Sequence, residues 1–124
     1  MEPARKPILV VEDESQVRSL LKVLLAEQGF EVIEAKDGTG ALHELWKRGG
    51  KVAMLVTDVD MGRMNGLELA QSVKSQFPAL PILFVSGLPM LSSELERAAP
   101  GSALVTKPFD VATLAQAVRK LIGE

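Results

Sequence analysis

Six polar side chains stand where an apolar run has just ended, and together they hold the groups needed to move a phosphoryl group. They are the adjacent acids Glu12 and Asp13, Asp58 with Asp60 two residues on, Ser86, and Lys107. Carboxylates brought close together repel, and the inexpensive remedies are a shared proton or a hard cation. Mg²⁺ suits such a site because it takes oxygen ligands in octahedral geometry and keeps waters beside one or two carboxylates and a phosphate oxygen. A carboxylate held between that cation and a lysine can attack phosphorus, since the transfer needs mainly positioning and neutralised equatorial oxygens. Each residue taken singly has a plainer use. Acids at strand ends cap helices, a serine makes a turn and a lysine is solvated, so their value depends on convergence.

Convergence is a question of which elements precede them. Ile8-Leu9-Val10-Val11, between Pro7 and Glu12-Asp13-Glu14, is a β-branched run of the kind buried on both faces of a sheet. From Ser15, Val17, Leu20, Leu21, Leu24 and Leu25 recur at helical spacing, and Gly29 is placed to stop the helix in a left-handed cap. The pattern repeats with a strand over Phe30 to Glu34 and a helix from Asp37 that carries Ala41, Leu42, Leu45 and Trp46 before Gly49-Gly50. A third strand is expected over Val52 to Thr57 and a loop over Asp58 to Gly66. Asn65 with Glu68 forms a capping box for a helix ending near Phe77-Pro78. Ile82 to Val85 is the fourth strand, followed by a short helix that Pro89, Pro100 and Gly101 confine to about Ser92–Ala99. Ala103 to Thr106 is the fifth strand. Asp110 caps a last helix whose apolar face is Val111, Leu114, Val118, Leu121 and Ile122.

Five alternating βα units with doubly buried strands imply a parallel sheet covered by helices on both faces. Five units fit an α/β, doubly wound, flavodoxin-like (βα)5 sheet of order 2-1-3-4-5, whereas a closed barrel needs eight. In such sheets ligands sit at the carboxyl ends of the strands, where all six polar residues fall. Residues 1–124 read as one domain without linker or repeat. With 47% hydrophobic and 24% charged residues the chain can bury a core, and without cysteine it has neither disulfide nor thiolate metal site. The polar segment Met1 to Pro7 shows no targeting signal, and apolar runs of about 4–6 residues fall short of the ~18 of a membrane span. A soluble cytoplasmic protein is therefore expected. Net charge is −2 with no basic stripe, which argues against nucleic-acid binding.

The same residues give the chain a family resemblance. Glu12-Asp13, Asp58, Met64-Asn65-Gly66, Ser86-Gly87 and Lys107-Pro108-Phe109, in this order and each at or just after a strand end, resemble the landmarks of response-regulator receiver domains over essentially the whole chain. The resemblance implies that Asp58 accepts the phosphoryl group, that Asp13 and Asp58 bind Mg²⁺ directly, and that the backbone carbonyl of Asp60 completes the protein ligands. Glu12 would act through metal-bound water. Ser86 and Lys107 would hold phosphoryl oxygens, and the Lys107-Pro108 bond would be cis. Gly87, Leu88 and Val105 would form the switch region. The implied partner is a histidine kinase or a histidine phosphotransfer protein, and the implied activity is a phosphorelay in which the domain assists its own phosphorylation and dephosphorylation without being a general enzyme. A monomer, or a weak dimer through the fourth helix, fifth strand and fifth helix, is expected. Two positions depart from the pattern: Gly62 stands where a proline is usual, and Val105 where an aromatic is usual.

Other readings fit less well. Asp58-Val59-Asp60 after an apolar strand suits a haloacid-dehalogenase-type phosphatase, but that enzyme carries the motif on its first strand and needs room for a cap domain. A receiver-like module that only binds a partner has no need of all of Glu12, Asp13, Asp58, Ser86 and Lys107. Flavin binding lacks a Gly/Ser/Thr-rich loop after Val11, and there is one Trp and no Tyr to stack on the ring. His43 reads as a solvated or partly packed helix residue, and Trp46 as core or helix-face packing. The cognate donor and the output are not written in these residues.

Overall fold

The computed structural model of the chain describes residues 6–61, 64–87 and 89–123. Its elements run in strict alternation: β1 Ile8–Val11, α1 Ser15–Glu27, β2 Val32–Ala35, α2 Gly38–Lys47, β3 Met54–Asp58, α3 Gly66–Gln76, β4 Ile82–Ser86, α4 Ser92–Ala98, β5 Ala103–Thr106 and α5 Val111–Ile122. All neighbouring strands are parallel, and their order is β2-β1-β3-β4-β5. This is the expected doubly wound, flavodoxin-like arrangement.

Because side chains alternate across a strand, each apolar run feeds two cores. Leu9, Val11, Leu55, Ile82 and Phe84 point to the face covered by α2, α3 and α4, where they meet Leu45, Leu69, Val73 and Leu95. Ile8, Val10, Met54, Val56, Leu83 and Val85 point to the other face, against Leu21 and Leu25 of α1 and Leu114 and Val118 of α5. β1, β3 and β4 are buried at every position, as strands between two helical layers should be, and this includes the polar residues Thr57, Asp58 and Ser86 that end β3 and β4. Removing one such side chain, for example Leu55→Ala, would cost about 2–5 kcal/mol.

The helix signals hold in their chemistry. Asp37, Asn65 and Asp110 each accept a hydrogen bond from the backbone N–H three residues on. For Asn65 this is the Glu68 N–H at 2.9 Å, one half of the expected capping box. Gly29 adopts φ 91°, the left-handed conformation that ends α1. The boundaries shift in places. β2 starts at Val32 rather than Phe30, whose side chain is buried under the sheet instead, and β3 runs Met54–Asp58 rather than from Val52. Asp58 is thus the last residue of a strand, not the first of a loop.

Three apolar residues do not go where periodicity sends them. Leu20 is 49% exposed and Val111 46%, although both lie at helical spacing with buried neighbours. Trp46 is 62% exposed, so it is not core; its indole N–H donates to the Gln76 side chain, which ties the outer face of α2 to α3. His43 is exposed, as expected. Among the described residues no helix is long and apolar enough to cross a membrane.

Candidate functional site

β1 and β3 are direct neighbours, with Val11 level with Thr57. The residues that follow, Glu12 and Asp58, therefore emerge side by side where the chain order reverses, and the carboxyl edges of β4 and β5 bring Ser86 and Lys107 to the same rim. Ser86 lies level with Thr106, and the Lys107 backbone N–H donates to the Ser86 carbonyl at 2.8 Å. The Lys107-Pro108 bond is cis.

The side chains converge. Carboxylate oxygens of Glu12, Asp13 and Asp58 all lie within 4.8 Å of one another. Lys107 Nζ reaches Asp58 Oδ2 at 3.0 Å and Glu12 Oε1 at 3.2 Å. Asp58 is 6% exposed and Glu12 fully buried, while Asp13 stands open to solvent. Ser86 is buried at the end of β4. Asp60 contributes its backbone N–H, which donates to Asp58 Oδ1 at 3.2 Å, and its own side chain is exposed. A cleft of about 330 Å³, lined in part by Asp13, Lys36, Thr39, Met61 and Met64, opens beside the acids.

Burial of this much charge shows in the protonation states. Glu12 is pushed up to about 8, first by burial and then by the hydrogen bond and negative charge of Asp58, with Lys107 pulling the other way. Burial works to lower Lys107, but its hydrogen bonds and charge pairing with Asp58, and then with Glu12, outweigh burial and hold it above its ordinary value as a firm ammonium. Two acids and one lysine thus share too little positive charge, and Glu12 Oε2 is buried with no hydrogen-bond partner. An all-oxygen donor set with an unsatisfied carboxylate oxygen and an open side at Asp13 fits a hard divalent cation.

Local geometry fixes the central acid. A Cβ added to Gly66 would sit 2.2 Å from the Asp58 carbonyl oxygen and 2.9 Å from Val59 Cα, while the Gly66 N–H donates to the Val59 carbonyl at 2.7 Å. Only glycine lets the start of α3 press this closely on the β3 terminus. The buried Thr57 hydroxyl adds a bond to the Asp58 carbonyl at 3.0 Å.

Glu12, Asp13, Asp58, Asp60, Ser86 and Lys107 therefore meet at one rim. Gly87 lies on that rim beside the Lys107 Cβ, whereas Val105 is buried in the core between the sheet and α5. Leu88 and Gly62 lie outside the described residues. The sequence reading missed the roles of Gly66 and Thr57, and also Arg18, whose guanidinium binds the Glu12 carbonyl at 2.8 Å. Gly66 could have been found from its place at the first position of a helix, close after a charged strand end. Arg18 offered no signal, since an arginine on a polar helix face usually just meets water.

The family model for the response regulator receiver domain matches residues 8–119. The chemotaxis protein CheY of Pseudomonas aeruginosa is 36% identical over 118 residues, covering 92% of this chain and 94% of that protein. The sensor kinase CckA of Brucella abortus is 33% identical over 118 residues, which cover 93% of this chain and 12% of the kinase. The response regulator TrrA of Thermotoga maritima, solved in complex with Mg²⁺-BeF, is 32% identical, covers 94% of this chain and 98% of that one, and superposes with a TM-score of 0.83.

Proposed function

The chain belongs to the response regulator receiver domain family of two-component signalling, and from that premise we propose that Asp58 accepts a phosphoryl group in a Mg²⁺-dependent phosphorelay. The observation that carries the reading is the buried Asp58 carboxylate, 3.0 Å from the Lys107 ammonium and clustered with Glu12 and Asp13. The whole chain acts as this one receiver domain.

Asp13 and Asp58 would hold the cation directly, the Asp60 carbonyl would complete the protein ligands, and Glu12 would act through bound water. When bound, Mg²⁺ neutralises the carboxylates and the equatorial phosphoryl oxygens. An Asp58 oxygen attacks phosphorus in line, the new O–P bond forms, and the N–P bond of a phosphohistidine breaks with its electron pair leaving on the imidazole. Lys107, already paired with Asp58, then takes up a phosphoryl oxygen, and the Ser86 hydroxyl donates to another. Hydrolysis reverses the gain: water attacks phosphorus, Asp58 departs as a carboxylate and phosphate is released. The domain assists both steps and turns over no separate substrate.

The phosphodonor is a histidine kinase or a histidine phosphotransfer protein. Support comes from the CckA segment, which is a receiver-length part of a kinase. A cytoplasmic monomer, or a weak dimer through α4, β5 and α5, fits this role.

Acetyl phosphate with Mg²⁺ should add one phosphoryl group by intact mass, and Asp58→Asn should abolish it. Labelling that persists in the variant, or proceeds equally in EDTA, overturns the reading. Turnover of a general phosphatase substrate at ordinary enzyme rates would point instead to the dehalogenase-type chemistry.

A further inference from the structure

The Glu12–Asp13 pair sits on a turn between β1 and α1, and one side chain outside the acidic cluster controls that turn. Arg18 reaches back from α1 and donates from Nη1 to the Glu12 carbonyl at 2.8 Å. Its Nε donates to Glu34 Oε1 on β2 at 3.3 Å, and Glu34 is steadied by Lys22 at 3.4 Å. The Glu12 N–H is fixed separately, by the Ala35 carbonyl at 3.1 Å. Glu34 is level with Val10 in the sheet register, so the guanidinium spans β2, the β1 terminus and α1 together.

Fixing the Glu12 carbonyl fixes the plane of the Glu12–Asp13 peptide, and with it the two dihedrals that set how the neighbouring carboxylates diverge. Adjacent residues of an extended chain send their side chains to opposite sides. Glu12 is accordingly buried and Asp13 exposed, yet both must bring oxygens within 4.8 Å of Asp58. Rotation of that peptide by a few tens of degrees would break this convergence. Arginine suits the task because its planar fork serves two acceptors at once, which a lysine ammonium does with much less geometric control.

We infer that Arg18, held by Glu34, is a positioning residue that sets the geometry of the Glu12–Asp13 pair for the divalent cation. The inference rests on the proposed Mg²⁺-dependent phosphoacceptor reading. Partners standing behind metal ligands typically change affinity about 10–100-fold when removed.

The test is calorimetric Mg²⁺ titration of the unphosphorylated protein, with acetyl-phosphate labelling rates measured over a Mg²⁺ series. Arg18→Ala should raise the Mg²⁺ dissociation constant roughly tenfold, Arg18→Lys by an intermediate factor, and Glu34→Gln about two- to threefold. Labelling by each variant should recover to within about twofold of wild type at saturating Mg²⁺, because the loss lies in binding and not in the attack. A merely structural role would lower the rate at every Mg²⁺ concentration. If Arg18→Ala does not fold, Arg18→Lys and Glu34→Gln carry the test, since both keep side-chain volume. Unchanged Mg²⁺ affinity in these variants, with wild type binding Mg²⁺ and labelled on Asp58, overturns the positioning role alone. Absence of Mg²⁺ binding by wild type overturns it together with the reading on which it rests.

Discussion

The two edges of the sheet are made by the same five strands and are used in opposite ways. At the amino edge the chain enters through Pro7, whose carbonyl accepts from the Ala53 N–H, and through Pro81, whose carbonyl accepts from the Leu55 N–H. Gly50 there turns at φ 75° above the Phe77 ring, and a cleft of about 380 Å³ opens between Val52, Phe77 and Leu80. At the carboxyl edge the neighbouring cleft is smaller, about 330 Å³, but it opens on Asp13, next to an ion cluster with a buried, unsatisfied carboxylate oxygen. The larger space is therefore not the one beside the charged cluster. Buried charge with too few partners has a free-energy cost, whereas an apolar cleft costs little.

Parallel topology explains the asymmetry. Every strand ends at the same rim and every following helix begins there, so backbone N–H groups and the positive ends of helix dipoles face that edge. Anionic groups are favoured at this rim and gain nothing comparable at the other.

Charge removal should separate the edges most. Lys107→Met leaves Asp58 and Glu12 without their cation, and should lower unfolding stability in EDTA by about 2–3 kcal/mol, a value reduced for the partial exposure of the lysine. The matching change at the amino edge, Lys6→Met, should stay within about 0.5 kcal/mol. Urea melts of both variants make the comparison, and equal losses would break it.

Glycine replacement should come next, and should split stability from chemistry. Gly66→Ala drives a methyl into the Asp58 backbone and should cost about 1–3 kcal/mol while also slowing acetyl-phosphate labelling. Gly50→Ala, strained by its positive φ and the Phe77 ring 2.5 Å from the new methyl, should cost about 1–2 kcal/mol with labelling unchanged. Slowed labelling in Gly50→Ala, measured on fully folded protein, would show that the edges are coupled.

A smaller effect is the pH dependence of the metal-free protein. An acid whose folded value is raised, as Glu12 is to about 8, stabilises the fold most below its ordinary value. That contribution is lost as pH rises through the folded value. Lys107, raised from 10.5, keeps its charge throughout this range. Urea midpoints in EDTA should therefore fall between about pH 5 and pH 9, Glu12→Gln should flatten the slope, and Mg²⁺ should reverse it at the alkaline end. A midpoint that rises with pH in EDTA contradicts the buried, uncompensated carboxylate.

The smallest expected signal lies within the rim itself. Val105 is β-branched, buried against α5 and limited in χ1, so it cannot swing as an aromatic ring would. Beryllofluoride with Mg²⁺ should then shift amide resonances of Ser86–Ala99 more than those near Val105 and α5. Large changes centred on Val105 would show that the relay runs through β5.

Much of this was legible in the residues alone, because local rules carried it. The doubly buried runs Ile8–Val11 and Ile82–Val85 announce parallel strands, Asp37, Asn65 and Asp110 announce helix starts, and strand order then brings Glu12, Asp58, Ser86 and Lys107 to one edge. What depends on three-dimensional distance was not legible. Periodicity gives the face of a helix but not how far its neighbour reaches, so Leu20 and Val111 were expected inside and lie out, and Trp46, open to core or helix-face packing, takes the helix face. The bridging of two acids by Lys107, the tether from Arg18 to a carbonyl and the pressure of Gly66 on Asp58 join residues far apart in the chain or across a tight turn. Pattern sets direction; only packing sets the ångströms on which charge pairing and cation binding depend.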